Sequence, residues 1–438
     1  MSTLRWSVFV TLSMILPGSV GAAVPDMTVE IAPVEEEARR YWPRWRGPSG
    51  QGVVEGSGYV DRWSPGENVL WKVEIPGSGA SSPIVWQDKI FLTTSEDRGR
   101  RRSILCLRRS DGRLLWRADA PETDPESVYR KNTHASSTPT TDGKLVYAYF
   151  GNHGLIAVDF DGNLRWHRSF GDVTSRHGTA GSPFLYRDRI ILYQDHNGPK
   201  GSFVAAFDTA TGKRLWRTGR EEKWGWGSPI VIQAGDRAEL IVSGQDLISA
   251  YNPDNGKRLW RARGNLTEVT PTPVAGEGLL FCSSGRAGPT LAIRPGGKGD
   301  VTDSHVVWKS TKGSPFVPSP LLYEGRLYLI NDMVAIATSI DARSGRILWQ
   351  GRIGTARREG FSSSPIVVDD KLFLTNDEGE TFVVGTGDRF ELLHVNQLGE
   401  RTLASPALVD GTWYWRTAKH LLAIGESPAG GDGGDHAP

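Results

Sequence analysis

Cysteine is almost missing from this chain. Cys106 and Cys282 are the two present among 438 residues, too few for a disulfide-stapled framework or a cysteine-rich metal cluster. Charge of one sign is missing too: 51 Lys and Arg face 50 Asp and Glu, a formal net of +1. Without a concentrated basic surface there is no electrostatic footprint for nucleic acid, so no nucleic-acid partner is expected. One basic run, Arg98 to Arg102, falls between two strand-like segments and reads as a solvated loop tip. Helical periodicity is hard to find after residue 45. Long apolar runs are lacking as well, and the stretch Val8 to Leu16 is too short to span a bilayer.

That stretch has another use. Arg5 precedes it, Pro17-Gly18 breaks it, and Gly21-Ala22-Ala23 supplies small residues for cleavage. Residues 1–23 therefore read as a secretion signal peptide. No Cys follows the apolar core, so a lipid anchor is not expected, and the product should be periplasmic or secreted. What the chain holds in quantity is 52 Gly, 26 Pro and 16 Trp, the turn formers and large flat side chains of an all-β protein.

Repetition organises the rest. A Ser/Thr-Pro pair followed by apolar residues recurs eight times, at Ser82-Pro83, Thr138-Pro139, Ser182-Pro183, Ser228-Pro229, Thr272-Pro273, Ser319-Pro320, Ser364-Pro365 and Ser405-Pro406. The spacing is 41 to 47 residues, except for a first interval of 56 stretched by an insert around Pro121 to Lys131. Each pair opens a strand, since Pro is tolerated at a strand's first position; a turn and a second strand follow. The second half of each unit is a hairpin such as Ala206-Phe-Asp208-Thr-Ala-Thr-Gly212-Lys-Arg-Leu-Trp216. The Asp caps the turn, Gly takes its positive-φ position, and Trp packs between neighbouring units. Recurrence in every unit marks the Ser/Thr as a turn-capping device rather than a nucleophile.

The expected fold is all-β: a single eight-bladed β-propeller of four-stranded antiparallel blades spanning residues 67–425. The last unit lacks its fourth strand, and Asn68 to Ile75 carries that strand's pattern with Trp71 at the repeat's Trp position. The N-terminal strand should therefore complete the last blade, beside residues 420–424. Residues 24–66 are a leader with the segment Trp42-Pro-Arg-Trp45-Arg46-Gly-Pro48, and residues 426–438, with His436, form a Gly-rich tail expected to be disordered. Cys106 and Cys282 fall in blades 1 and 5, on opposite sides of the ring, and should be free thiols.

The hairpin spacing at Ala206–Trp216 and Ala250–Trp260 resembles the tryptophan-docking repeat of the PQQ-like, quinoprotein-type propellers, including their BamB-like branch. The leader Trp42 to Gly52 and the ending Leu398 to Gly425 are similar to exported PQQ-like propellers of planctomycetes and their relatives. The resemblance implies a propeller that is either a non-catalytic envelope component or a dehydrogenase using PQQ with Ca²⁺. The dehydrogenases carry a vicinal Cys-Cys pair, and this chain has none; no Glu, Asn and Asp cluster for Ca²⁺ is recognisable. No cofactor is therefore expected, PQQ with Ca²⁺ being the alternative.

Propellers bind where the loops leading into the innermost strands converge. Those loops carry His134, His177, Trp224, Glu359 and Arg401, and nearer the Pro, Trp226, Phe316 and Phe361. Aromatic faces would stack on a flat ligand and Arg would pair with an anion. His134 and His177 lack a third ligand for zinc, and no nucleophile–base pair emerges, so no catalytic residue is named. The leading expectation is an exported, monomeric, non-catalytic scaffold for an envelope protein, a small molecule or a carbohydrate at the top face. The alternatives are a PQQ-dependent dehydrogenase and a hydrolase or lyase acting on a polysaccharide or other polyanion.

Overall fold

The computed structural model describes residues 27–197, 201–286, 288–356 and 360–426. The secretion segment, Glu359 and the tail from 427 onward lie outside them. Eight sheets follow one another along the chain, seven of four strands and one of six. Blade 1 shows the plan: Ile84–Trp86 is innermost, followed outward by Lys89–Glu96, Arg101–Arg108 and Leu114–Asp119, each antiparallel to the last. Inner and middle strands such as Leu247–Tyr251 are buried throughout, while outer strands alternate. This is the pattern of sheets stacked face to face around an axis.

The ring closes as expected. Val69–Glu74 forms the outer strand of blade 8, pairing Trp71 with Ala423, Lys72 with Leu422, Val73 with Leu421 and Glu74 with His420. The tryptophans dock from blade to blade. Trp116 Nε1 donates to Phe160 O at 2.8 Å, Trp166 to Thr209 O at 2.8 Å and Trp216 to Pro253 O at 3.0 Å. Each ring also lies on the turn glycine of the next blade; a methyl at Gly212 would stand 2.5 Å from the Trp166 ring. Trp260 differs. The next blade replaces the tight turn with a longer excursion, and Trp260 Nε1 bonds the buried carboxylate of Glu239 at 2.7 Å instead. Cys106 and Cys282 are buried in blades 1 and 5, and burial pushes the Cys106 thiol up to about 12.

The leader is not a linker, contrary to its place outside the repeat. It fills one end of the axial channel by bonding to the free inner edges of the innermost strands. Val29–Ile31 pairs with Ile232–Ala234 of blade 4. Trp42 exchanges two backbone bonds with Val85 of blade 1, at 3.0 and 2.9 Å. Pro43 O accepts from Thr141 N of blade 2, Gln51 Oε1 from Ala275 N of blade 5, and Gly52 O from Val367 N of blade 7. Inner strands have one unpaired edge each, and an unpaired buried backbone group costs about 1–3 kcal/mol; the leader supplies partners in blades 1, 2, 4, 5 and 7. Trp42 is 1% exposed as a result.

The basic run needs one correction. Arg98, Arg100 and Arg101 are exposed, but Arg102 is 0% exposed and holds Glu126 through two nitrogens at 3.0 and 2.7 Å. It anchors the long insert between blades 1 and 2 against the top of the ring.

Candidate functional site: an axial funnel

The Ser/Thr of every Ser/Thr-Pro pair faces the axis, and its hydroxyl bonds a neighbouring blade instead of capping its own turn. Ser82 N–H donates to Thr138 Oγ1, Thr138 N–H to Ser182 Oγ, Ser182 N–H to Ser228 Oγ, and Ser228 N–H to Thr272 Oγ1. The series runs on through Ser319, Ser364 and Ser405, whose N–H returns to Ser82 Oγ at 3.1 Å. Eight bonds of 2.7 to 3.1 Å thus form a closed hoop linking every blade to the next. The expected local turn cap is therefore an inter-blade clasp. Its partner lies one whole repeat away, where local pattern reading cannot reach.

Above the hoop the top-face loops enclose a cavity of about 450 Å³, lined by all eight hydroxyl residues. Trp45 of the leader also lines it, at the end the leader fills, which makes the channel a blind funnel. Tyr129, Trp226 and Phe316 form apolar wall; Lys131, Arg176 and Arg286 bring three cations against the one carboxylate of Glu268. Glu268 is shared, 3.1 Å from Arg286 Nε and 3.6 Å from His177 Nε2.

The residues named from the sequence fall into three places. His177, Trp226 and Phe316 line the funnel. Phe361 and Arg401 line a neighbouring recess of about 520 Å³ over blades 7, 8 and 1. Trp224 stands behind the wall, edge-on to Trp226 at 5.9 Å and 6.0 Å from His177. His134 lines neither space: it packs on Gly99, with Nε2 2.9 Å from Glu126 O, and steadies the insert. His134 and His177 are not brought together as a pair.

Sequence reasoning missed the group that divides the two spaces. Lys131, at the end of the insert, lines both and reaches Asp377 of blade 7 at 2.8 Å. Burial raises the Asp377 carboxyl, with Lys131 pulling it back down. Asp332 of blade 6 is fully buried; burial pushes its carboxyl up to about 6, although Oδ1 accepts from Phe316 N at 2.7 Å. The long first interval was the visible sign of this insert, but nothing in it showed where Lys131 would land.

Among the described residues no group of three or more His, Cys, Asp or Glu side chains is arranged to hold a metal ion. The two thiols are buried in separate blades. The donor set that PQQ with Ca²⁺ would need, as the resemblance implies it, does not match these residues, and no chemistry is derived through it.

Eight four-stranded blades, tryptophan docking and an N-terminal closing strand define a PQQ-like repeat propeller with one axial funnel. A family profile described as outer membrane protein assembly factor BamB matches residues 56–198 and 200–384, and the chain belongs to that family. Outer membrane protein assembly factor BamB of Yersinia pestis is 22% identical over 297 residues, covering 63% of this chain and 68% of the relative. The Bordetella pertussis protein of that name is 24% identical over 262 residues, covering 48% of this chain and 64% of the relative. For the Shewanella oneidensis protein the covered share is 52%, so the chain spans less than two thirds of these last two. Among solved structures, BamB from Moraxella catarrhalis superposes with a TM-score of 0.57 at 12% identity, covering 81% of this chain and 99% of that one. Quinohemoprotein alcohol dehydrogenase from Comamonas testosteroni gives 0.65 at 13%, covering 90% and 82%. At such identities the likeness is one of fold.

Proposed function

We propose that this chain is an exported propeller that works by binding, as a protein-interaction scaffold of the cell envelope. One observation carries the reading: the molecule is one-sided. The leader fills one end of the channel, while at the other the loops of all eight blades surround a funnel and an adjoining recess. Membership of a family described by outer membrane assembly supports an envelope setting, and residues 1–23 supply the export segment. No helix among the described residues is long and apolar enough to cross a membrane.

The contact set on the top face is His177, Trp226 and Phe316 in the funnel with Phe361 and Arg401 in the recess; Trp224 and His134 support them from behind. Aromatic rings beside Arg are the composition of binding hot spots. The reading includes no cofactor and no catalytic residue. Photo-crosslinking residues placed at Arg176 and Arg401, both exposed on the top face, test it in intact cells. Discrete envelope proteins should be captured from these positions and not from Lys298, exposed on the opposite side. No top-face capture, or equal capture from Lys298, would overturn the reading.

A further inference from the structure

Two features, one lining the funnel and one buried behind Trp45 beneath its floor, remain chemically unspent. Each hoop hydroxyl accepts a neighbour's N–H, yet none of the eight donates its own proton to an acceptor among the described residues. Seven of these side chains are more than nine-tenths buried, Ser228 being half-buried, and all eight face the funnel. A hydroxyl carries one donor proton as well as its lone pairs, so eight donors with no partner among the described residues surround one axial space.

The second feature is Arg46. It is 0% exposed, and none of its three guanidinium nitrogens has a hydrogen-bond partner among the described residues. Its neighbours show where it lies. The guanidinium carbon is 5.6 Å from the ring of Trp45, which lines the funnel. A methyl on Gly52 would stand 2.6 Å from Pro365 O and 3.3 Å from Arg46 Nε, which sets Arg46 beside the hoop at blade 7. Its neighbour Arg44 is also buried but has partners, Nε and Nη2 bonding the carbonyls of Ala32, Gly47 and Pro48. A buried guanidinium is normally paired, because an uncompensated buried charge is strongly unfavourable. Burial alone lowers the Arg46 guanidinium, to about 9, so it is still charged at neutral pH.

We propose that the floor of the funnel is an oxyanion site, in which a carboxylate, phosphate or sulfate group sits on the axis, receiving hydrogen bonds from the hoop hydroxyls above the Arg46 charge. Lys131 is paired with Asp377 and Arg286 with Glu268, so the wall carries one positive charge in excess, at Arg176, which draws such a group inward. The 450 Å³ volume and the Trp226, Phe316 and Tyr129 surfaces admit a small apolar body behind the charged head. The anion is therefore either free inorganic ion or the head of a small organic acid. The inference deepens the binding reading of the funnel and rests on it.

Calorimetry on the full chain with sodium phosphate, sodium benzoate and benzyl alcohol, at matched ionic strength in chloride, tests the proposal. At least one of phosphate and benzoate should bind saturably at one site, the two competing where both bind; the neutral alcohol should bind about tenfold more weakly than benzoate or worse. Benzoate binding without phosphate binding would identify an organic acid's head, and phosphate binding as tight as benzoate's a free ion. Arg46→Met removes the buried charge, and Thr272→Val one hydroxyl; each should weaken benzoate about tenfold, while Thr272→Ser should restore it. Should either variant misfold by circular dichroism, the comparison of benzoate with benzyl alcohol on the parent chain decides alone. No saturable anion binding, or equal binding of the neutral alcohol, overturns the site. Loss of anion binding with top-face crosslinks intact removes this inference and leaves the scaffold reading standing.

Discussion

At the scale of the residue, the informative side chains are buried polar groups that the repeat does not require. Asp332 is one. Burial pushes its carboxyl up to about 6, against about 4 in an unfolded chain. Between those values the folded state keeps a proton that the unfolded state has released. Stability contributed by this group is therefore present below about pH 4 and is lost as pH rises through about 6. Asp332→Asn keeps an acceptor for the Phe316 N–H and never ionises. It should melt above the parent at pH 7.5, by a difference on the order of 2 kcal/mol, and the gap should shrink toward pH 4. Melting curves across that range check it, and a pH-independent gap would contradict it. Such residues were not legible in the sequence: Asp332, Asp377 and Arg46 look like any surface charge until the fold buries them. His177, Trp226 and Phe316 were legible, because their position just before a repeated Ser/Thr-Pro pair fixes the end of the ring they occupy.

At the scale of the element, the hairpins were the easiest structures to read. Asp208 Oδ1 accepts from Thr211 N at 2.8 Å, and Asp341 Oδ1 from Ser344 N at 2.8 Å, the caps their spacing demanded. Their glycines serve twice over, through positive φ and through the tryptophan laid against them. Gly212, at φ +65, and Gly325 of the turn between the inner strands of blade 6, at φ +72, separate the two roles, because a methyl meets the Trp166 ring at the first and open space at the second. Gly325→Ala should cost about 1 kcal/mol, from backbone strain alone. Gly212→Ala should cost about 1–3 kcal/mol more, read from urea unfolding midpoints at unchanged slope. Equal losses would mean that docking on the glycine adds nothing. The leader was the least legible element. It follows no repeat, and its partners Val85, Ile232 and Val367 lie far along the chain, so only its density of Trp and Arg set it apart.

At the scale of the whole molecule, blade count, order and closure were all readable, since eight copies of one pattern average out local ambiguity. The closure can be locked. Val73 and Leu421 are directly paired across the junction of first and last strands. Val73→Cys with Leu421→Cys should form a disulfide on oxidation and close the ring covalently through these side chains. A faster band without reductant would show it, with a gain of about 2–4 kcal/mol, the range disulfides usually deliver. The native Cys106 and Cys282 are buried and should not compete. Two reactive cysteines that fail to couple would count against the strand's position.

That junction also sets an order of events. The strand at Val69–Glu74 has its partner at His420–Ile424, the last strand of the last blade to be made. The earliest-made blade edge must wait, unpaired, for the latest. Contacts so distant in sequence form slowly, and an exposed strand edge invites pairing with other chains. The molecule is therefore most vulnerable to aggregation between the completion of its seventh blade and the arrival of its eighth, when almost everything is folded and the ring is still open.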